Sequence, residues 1–256
     1  KRVFEVHLQN PGGSRDIRYV LAKSVGWGWL SYHALIAGRR LSDSVPHIFG
    51  LDRGFIFMEW ILEGEAPTKR SANEKKVSAA ASYIAARTNR LRIIDPLRGE
   101  GQERHQNGVQ LLADALSRCW GGPIVGALAR SRIQSLIRSQ ACPFPTLIDG
   151  SMGPREWIAG REGPVKVDFE HHGLGKGTIN VADPAFDLAD FILGHELPAD
   201  EERVLLRRYV DQTGDDDIGR RLFMNKLMAG LWSMDMAASR IISGRAAEEH
   251  DEDGAH

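Results

Sequence analysis

The sequence predicts an α+β protein of two lobes, a small β-rich lobe in front and a larger helical lobe behind it. Three observations carry this reading. Residues 1–62 alternate and turn as strands do, around one helical stretch. After Gly64-Glu65-Ala66-Pro67 the periodicity becomes helical. A short β-like passage, residues 146–169, interrupts the helical part. Strands followed by helices, rather than strict alternation of the two, is the α+β pattern. At 256 residues the chain can bury a core in one large domain or two lobes.

The elements follow in order. Val3, Glu5, His7 and Gln9 alternate with Phe4, Val6 and Leu8, and Asn10-Pro11-Gly12-Gly13-Ser14 supplies a turn. Residues 17–25 return as the second strand of a hairpin. Residues 26–40 are helical in spacing, through Trp29, Leu30, His33, Leu35 and Ile36. Pro46 closes that helix region. Residues 48–51 and 55–62 read as two more strands around the turn Asp52-Arg53-Gly54. Helices are expected over residues 71–88, 107–119, 124–140 and again between residues 184 and 242. Residues 246–256 are acidic and polar and read as a frayed or disordered tail. The expected divisions are residues 1–63, 64–245 and 246–256.

Composition bounds the function classes. With 42% hydrophobic and 26% charged residues the chain reads as an ordinary soluble protein. A formal net charge of -1 gives no field for nucleic acid or a membrane surface, so neither is expected as a partner. Arg130, Arg132 and Arg138 read as a solvated helix surface. No apolar run approaches the ~20 residues of a membrane span. Cys119 and Cys142 fit no metal-ligand spacing and follow no secretion signal, so reduced thiols in a cytoplasmic protein are expected. The chain opens on Lys1, not Met, already inside a strand-like alternation, which leaves room for sequence upstream.

Among chemistry-bearing residues, Asp168 stands out, because it ends the apolar strand Val165-Lys166-Val167. The bland alternative is a turn aspartate. His171 and His172 are adjacent and point opposite ways in a strand, so a joint metal role is not expected. Gly173, Gly175 and Gly177 are spaced like a dinucleotide fingerprint, but no helix opens after them, and they read as a loop. Trp27, Trp29 and Trp60 read as packing residues, with Trp60 also placed to border a base.

Three segments taken together resemble a known family. They are Thr146-Leu-Ile-Asp-Gly-Ser-Met-Gly-Pro-Arg-Glu-Trp-Ile158, Val165-Lys-Val-Asp-Phe-Glu170 and Asp183-Pro-Ala-Phe-Asp-Leu-Ala189. Their order resembles the H-G-D-x-x-x-x-N, I-D-[FW]-E and D-P-x-x-D-L-A motifs of the aminoglycoside phosphotransferase and choline kinase-like family. Tyr19-Val-Leu-Ala-Lys-Ser24 and Phe55-Ile-Phe-Met-Glu-Trp-Ile-Leu62 resemble that family's lysine strand and the strand entering its hinge. The resemblance covers most of the chain. It implies a protein-kinase-like bilobal fold and Mg²⁺ with ATP or GTP between the lobes. It also implies transfer of phosphate to the hydroxyl of a small molecule, which the sequence does not identify. Carried over by position, Lys23 contacts phosphate, and Glu59, Trp60 and Ile61 border the nucleotide. Asp168 binds metal, and Asp187 braces the catalytic loop.

The loop departs from the family pattern. Ser151 stands at the catalytic base, and a neutral hydroxyl is a poor proton acceptor. Glu156 stands at the metal-binding Asn, and Asp149 at the His. Asp149 and Ser151 are therefore the catalytic candidates, and Glu156 joins Asp168 as a metal candidate. No acidic residue lies between Ile17 and Ser42, so the front-lobe helix offers Lys23 no carboxylate. No glycine-rich phosphate loop precedes the hairpin. The alternative is therefore a pseudokinase-like module that binds nucleotide or a protein partner without catalysis.

Overall fold

A computed structural model describes residues 1–9, 15–62, 69–93, 130–132, 135, 142–160, 163–170 and 181–253. Strands β1 (Arg2–Gln9) and β2 (Arg15–Ser24) form an antiparallel hairpin. Helix α1 (Trp29–Arg40) leads to β3 (Ile48–Asp52) and β4 (Phe55–Glu59). The sheet order is β1-β2-β4-β3, all neighbours antiparallel. The β3–β4 turn is tight because Arg53 and Gly54 both take positive φ, 45° and 79°, as a two-residue hairpin loop of the mirror-image kind requires.

Helix α1 lies close on its surroundings. A Cβ added at Gly38 would come within 2.8 Å of Ile48 Cγ1 and 2.9 Å of Phe169 Cζ. Glycine therefore lets the helix rest directly on β3 and on the aromatic ring of the Asp168-Phe169-Glu170 segment. Phe169 is fully buried, which is worth about 1.5–3 kcal/mol for such a side chain.

Helix α2 (Lys69–Arg90) buries Val77, Ala80, Ala81, Ile84 and Thr88, a helical stripe, with Tyr83 and Arg87 also inside. Strand β5 (Thr146–Leu147) pairs with β8 (Val181–Ala182), and β6 (Trp157–Ala159) pairs with β7 (Pro164–Lys166) after a 3₁₀ turn at Pro154–Glu156. Three helices follow, α3 (Ala185–Gly194), α4 (Ala199–Thr213) and α5 (Ile218–Asp253). Thr88 and Tyr209 hydroxyls, 3.3 Å apart and buried, tie α2 to α4. Gly214, at φ 71°, ends α4 in the left-handed conformation that favours glycine. The chain divides into two compact units, Lys1–Pro96 with Cys142–Gly219, and Leu97–Ala141 with Arg220–His256. The first holds the sheet, α1 to α4 and all the segments of the family resemblance. In the second, Arg130–Arg132 and most of α5 are helical.

Three expectations change. Residues 246–253 are helical rather than a disordered tail, since Ala246, Ala247, Glu248 and Glu249 are good helix formers that prolong α5. The strand expected over 55–62 stops at Glu59. Trp27 is no packing residue: it is 75% exposed, between Gly26 and Gly28 at φ 84° and 65°. The turn at residues 10–14, the boundary at residues 64–67, the helix over 107–119, most of that over 124–140, and His171, His172 and their glycine-rich neighbours lie outside the described residues. No helix among the described residues is long and apolar enough to cross a membrane.

Candidate functional site

Lys23 sits near the end of β2, opposite Ile56 of β4. Its ammonium donates to Asp168 Oδ1 at 2.6 Å and forms a second ion pair with Glu170 Oε1. Lys1 reaches both oxygens of the same carboxylate, Oδ2 at 3.1 Å and Oδ1 at 3.2 Å. Burial works against the Lys23 charge, but Glu170 and Asp168 outweigh it and hold its pKa above the ordinary lysine value. Burial likewise opposes the Asp168 charge, and the hydrogen bond and charge of Lys23, with those of Lys1, bring its pKa below the usual carboxylate value. Asp168 has φ 54°. The left-handed conformation costs about 1–2 kcal/mol for most residues and is tolerated best by Gly, Asn and Asp. The kinked backbone turns the Asp168 carboxylate to Lys23 while Phe169 stays inside.

Glu170 is the carboxylate that the front-lobe helix lacks. It is buried, at 4% exposure, and it reaches Lys23 from the back lobe. Sequence reasoning placed Glu170 in the motif but gave it no role. The usable signal is that Lys23 needed a carboxylate and α1 had none.

The loop after β5 is held from below. Asp187 is buried in the first turn of α3. It accepts the Asp149 and Gly150 backbone N–H groups, each at 2.8 Å, and Asp190 accepts that of Met152 at 2.6 Å. The donors come from the loop rather than from the helix's own N-terminus, where Asp183 accepts the Ala185 N–H at 2.9 Å instead. Burial, then the neighbouring Asp149 charge, push Asp187 up to about 7. The folded protein thus keeps a proton at Asp187 that the unfolded chain releases near pH 4. Its contribution to stability is complete below that pH and is lost as pH rises to about 7. His195, lowered to about 4 by burial first, runs in the opposite sense over an overlapping range. It is common to wild type and variant and cancels in their difference. Asp187→Ala is therefore expected to destabilise by roughly 1–3 kcal/mol, and by more at pH 5 than at pH 7. Urea titrations of both proteins at the two pH values measure this; a larger loss at pH 7 contradicts the protonated carboxyl.

Asp149 and Glu156, both departures from the family pattern, converge on one cation. Lys166 is fully buried, with its ammonium 3.3 Å from Asp149 Oδ2 and 3.7 Å from Glu156 Oε2, and donating to Val167 O at 2.7 Å. Asp149 is itself buried and also accepts from the Tyr83 hydroxyl and, at 3.4 Å, from Arg87. Arg87 donates further to Tyr83 Oη at 2.9 Å, to Leu147 O at 2.8 Å and to Phe169 O. The guanidinium thus joins the loop at 147–149 to the backbone of 169. Ser151, half-buried, donates its N–H to Asp149 Oδ1 at 3.3 Å. Lys166, Arg87 and Tyr83 went unnoticed in the sequence.

Glu59, Trp60 and Ile61 lie where β4 leaves the sheet. Val20 faces Glu59 and Lys23 faces Ile56, so about 10 Å of strand separates the two ends. The Glu59 N–H is used by His47 O at 2.8 Å and the Trp60 N–H by Tyr19 O at 2.9 Å. Trp60 is 42% exposed and Ile61 half-buried.

For a cation, no three His, Cys, Asp or Glu side chains converge among the described residues. Mg²⁺ usually needs only one or two carboxylates, with phosphates and water completing its shell. Asp168, one-third exposed and facing Lys23, fits that role. Glu156, engaged with Lys166, fits it less well.

No family model matches the sequence, and neither does any curated protein. Solved structures do match in fold. Choline kinase LicA from Streptococcus pneumoniae superposes with a TM-score of 0.52 at 17% identity, over 90% of this chain and 80% of that one. Macrolide 2'-phosphotransferase MphH from Brachybacterium faecium gives 0.52 at 18%, over 96% and 86%. Amicoumacin kinase hAmiN, solved in complex with AMP-PNP, Ca²⁺ and Ami, gives 0.50 at 15%, over 88% and 75%. The chain has the protein-kinase-like fold of these phosphotransferases.

Proposed function

We propose that this chain is a member of the aminoglycoside phosphotransferase and choline kinase-like family. It binds ATP or GTP with Mg²⁺ between its lobes and transfers phosphate, slowly, to a hydroxyl of a small molecule. The observation that carries the reading is the Lys23–Asp168–Glu170 ion cluster, one strand length from the exposed Trp60. A lysine held by two carboxylates, one of them one-third exposed, is suited to phosphate, and the strand separating it from Trp60 matches the span of a nucleoside. The Mg²⁺, held by Asp168, would neutralise phosphate charge. Lys23 would orient the phosphates, and Glu170 would keep Lys23 in place. Asp187 would hold the loop that carries Ser151. The setting is cytoplasmic, and the acceptor is bound by the helical lobe.

A second reading, a nucleotide- or partner-binding module without transfer, is favoured by the engagement of Asp149. Its carboxylate already serves Lys166, Arg87 and Tyr83, so it is a poor stand-in for the base that Ser151 cannot be.

Thermal unfolding with ATP or GTP and Mg²⁺ tests both. At free nucleotide 100-fold above its dissociation constant, binding adds about 2.7 kcal/mol, a rise of about 5–11 °C for a chain of this size. Asp168→Ala is expected to abolish the Mg²⁺-dependent part. No movement with either nucleotide at millimolar concentration would leave only the partner-binding module.

A further inference from the structure

The register that sets Arg2 opposite Ala22 places Lys1 beside Lys23 at the start of the hairpin. Like charges directly across two antiparallel strands repel. Here both ammonium groups turn to the same carboxylate, Lys23 to Asp168 Oδ1 at 2.6 Å and Lys1 to Oδ2 at 3.1 Å and Oδ1 at 3.2 Å. The two lysines differ in how firmly they are held. Lys23 is 13% exposed and has Glu170 as a second partner, whereas Lys1 is 55% exposed and its ion pair is with Asp168. An exposed pair of that kind is worth about 0–1 kcal/mol, so Lys1 can leave Asp168 at little cost.

We propose that Lys1 is a second phosphate-contact residue, forming with Lys23 a two-ammonium cradle for the polyphosphate of the bound nucleotide. This rests on the nucleotide-binding reading above and deepens it. The charge count supports it. Lys1 and Lys23 balance Asp168 and Glu170, so once Asp168 is engaged by a cation the two lysines are left in excess over Glu170 and face an anion. Chemistry supports it as well. An ammonium offers three N–H donors on a flexible stem, at the strand position next to the invading phosphates.

The test uses the full chain and three probes, inorganic tripolyphosphate, ATP and adenosine, each with Mg²⁺, read by titration calorimetry. Lys1→Gln keeps length and strand backbone and removes the charge. It is expected to weaken tripolyphosphate and ATP about ten-fold or more, as loss of a charge-assisted contact does, and to leave adenosine unchanged. Lys1→Arg is expected to stay within a few-fold of wild type. Because Lys1 is exposed, the unliganded melting temperature of Lys1→Gln is expected to match that of wild type, which separates lost binding from lost folding. If wild type and Lys1→Gln bind tripolyphosphate and ATP equally, the cradle is overturned while nucleotide binding stands. If wild type binds ATP but not tripolyphosphate, the cradle is again overturned. If wild type binds neither, the cradle and the nucleotide reading fall together.

Discussion

Arg87→Ala is expected to cost about 3–5 kcal/mol of folding stability, the range for breaking a buried charged network by removing one partner. That corresponds to a fall in Tm of about 6–20 °C. The guanidinium is buried and serves four acceptors, Tyr83 Oη, Leu147 O, Asp149 Oδ2 and Phe169 O. After truncation two carbonyls inside the protein lose a donor, at about 1–3 kcal/mol each where nothing replaces it. Asp149 keeps Lys166 at 3.3 Å, which limits the loss. Arg87→Met fills most of the volume and still removes the donors, so it separates hydrogen bonding from cavity formation. Arg87→Lys restores charge but not the planar fork, and is expected to recover only part of the loss. Guanidinium titration of the three variants measures the order, and a loss below about 1 kcal/mol in Arg87→Ala contradicts the role assigned to it. Since Arg87 joins Leu147 and Phe169 through its hydrogen bonds, Arg87→Met is also expected to weaken the nucleotide binding proposed for Asp168, the neighbour of Phe169.

What could be read from the sequence was whatever local chemistry declares. The hairpin, α1 and the β3–β4 turn follow from alternation, helical spacing and Asp-Arg-Gly, and the structure has them within a few residues. Lys23 and Asp168 were brought together by the order of two motifs 145 residues apart, and they meet at 2.6 Å. What could not be read depends on tertiary burial. Lys166 lies in Val-Lys-Val, where strand alternation reads a lysine as the solvent-facing residue, yet it is fully buried because Asp149 and Glu156 come in from the loop. Arg87 had a clue: it falls with Tyr83, four residues earlier, beside the apolar stripe of α2, where a guanidinium demands partners. Glu170 had one too, in the carboxylate that Lys23 needed. The tail's acidity hides its helix, which the propensity of its Ala and Glu favours through Asp253.

Ser151→Asp is expected to raise phosphoryl transfer by about 10² or more, the lower part of what a positioned general base contributes. The loop is otherwise ready for it. Gly150 precedes the position at φ 75°, Asp187 holds the backbone on one side and Asp190 on the other, and Asp168 remains beside Lys23. The companion change that the family pattern invites, Glu156→Asn, is not neutral here. It takes a carboxylate from Lys166, leaving Asp149 as the carboxylate beside a buried ammonium, and is expected to lower stability without adding a proton acceptor. Ser151→Asp alone is thus the informative variant, with Ser151→Asn as an isosteric control that lacks the base. Transfer from ATP or GTP to a panel of small hydroxyl acceptors, and to water, is measured for all three proteins. A gain in Ser151→Asp but not in Ser151→Asn identifies a site that positions nucleotide and lacks its base. A fall below an existing wild-type rate in both variants instead makes the Ser151 hydroxyl part of the chemistry. Equal rates in all three, with nucleotide still bound, leave a binding module whose loop no longer presents residue 151 to the phosphate.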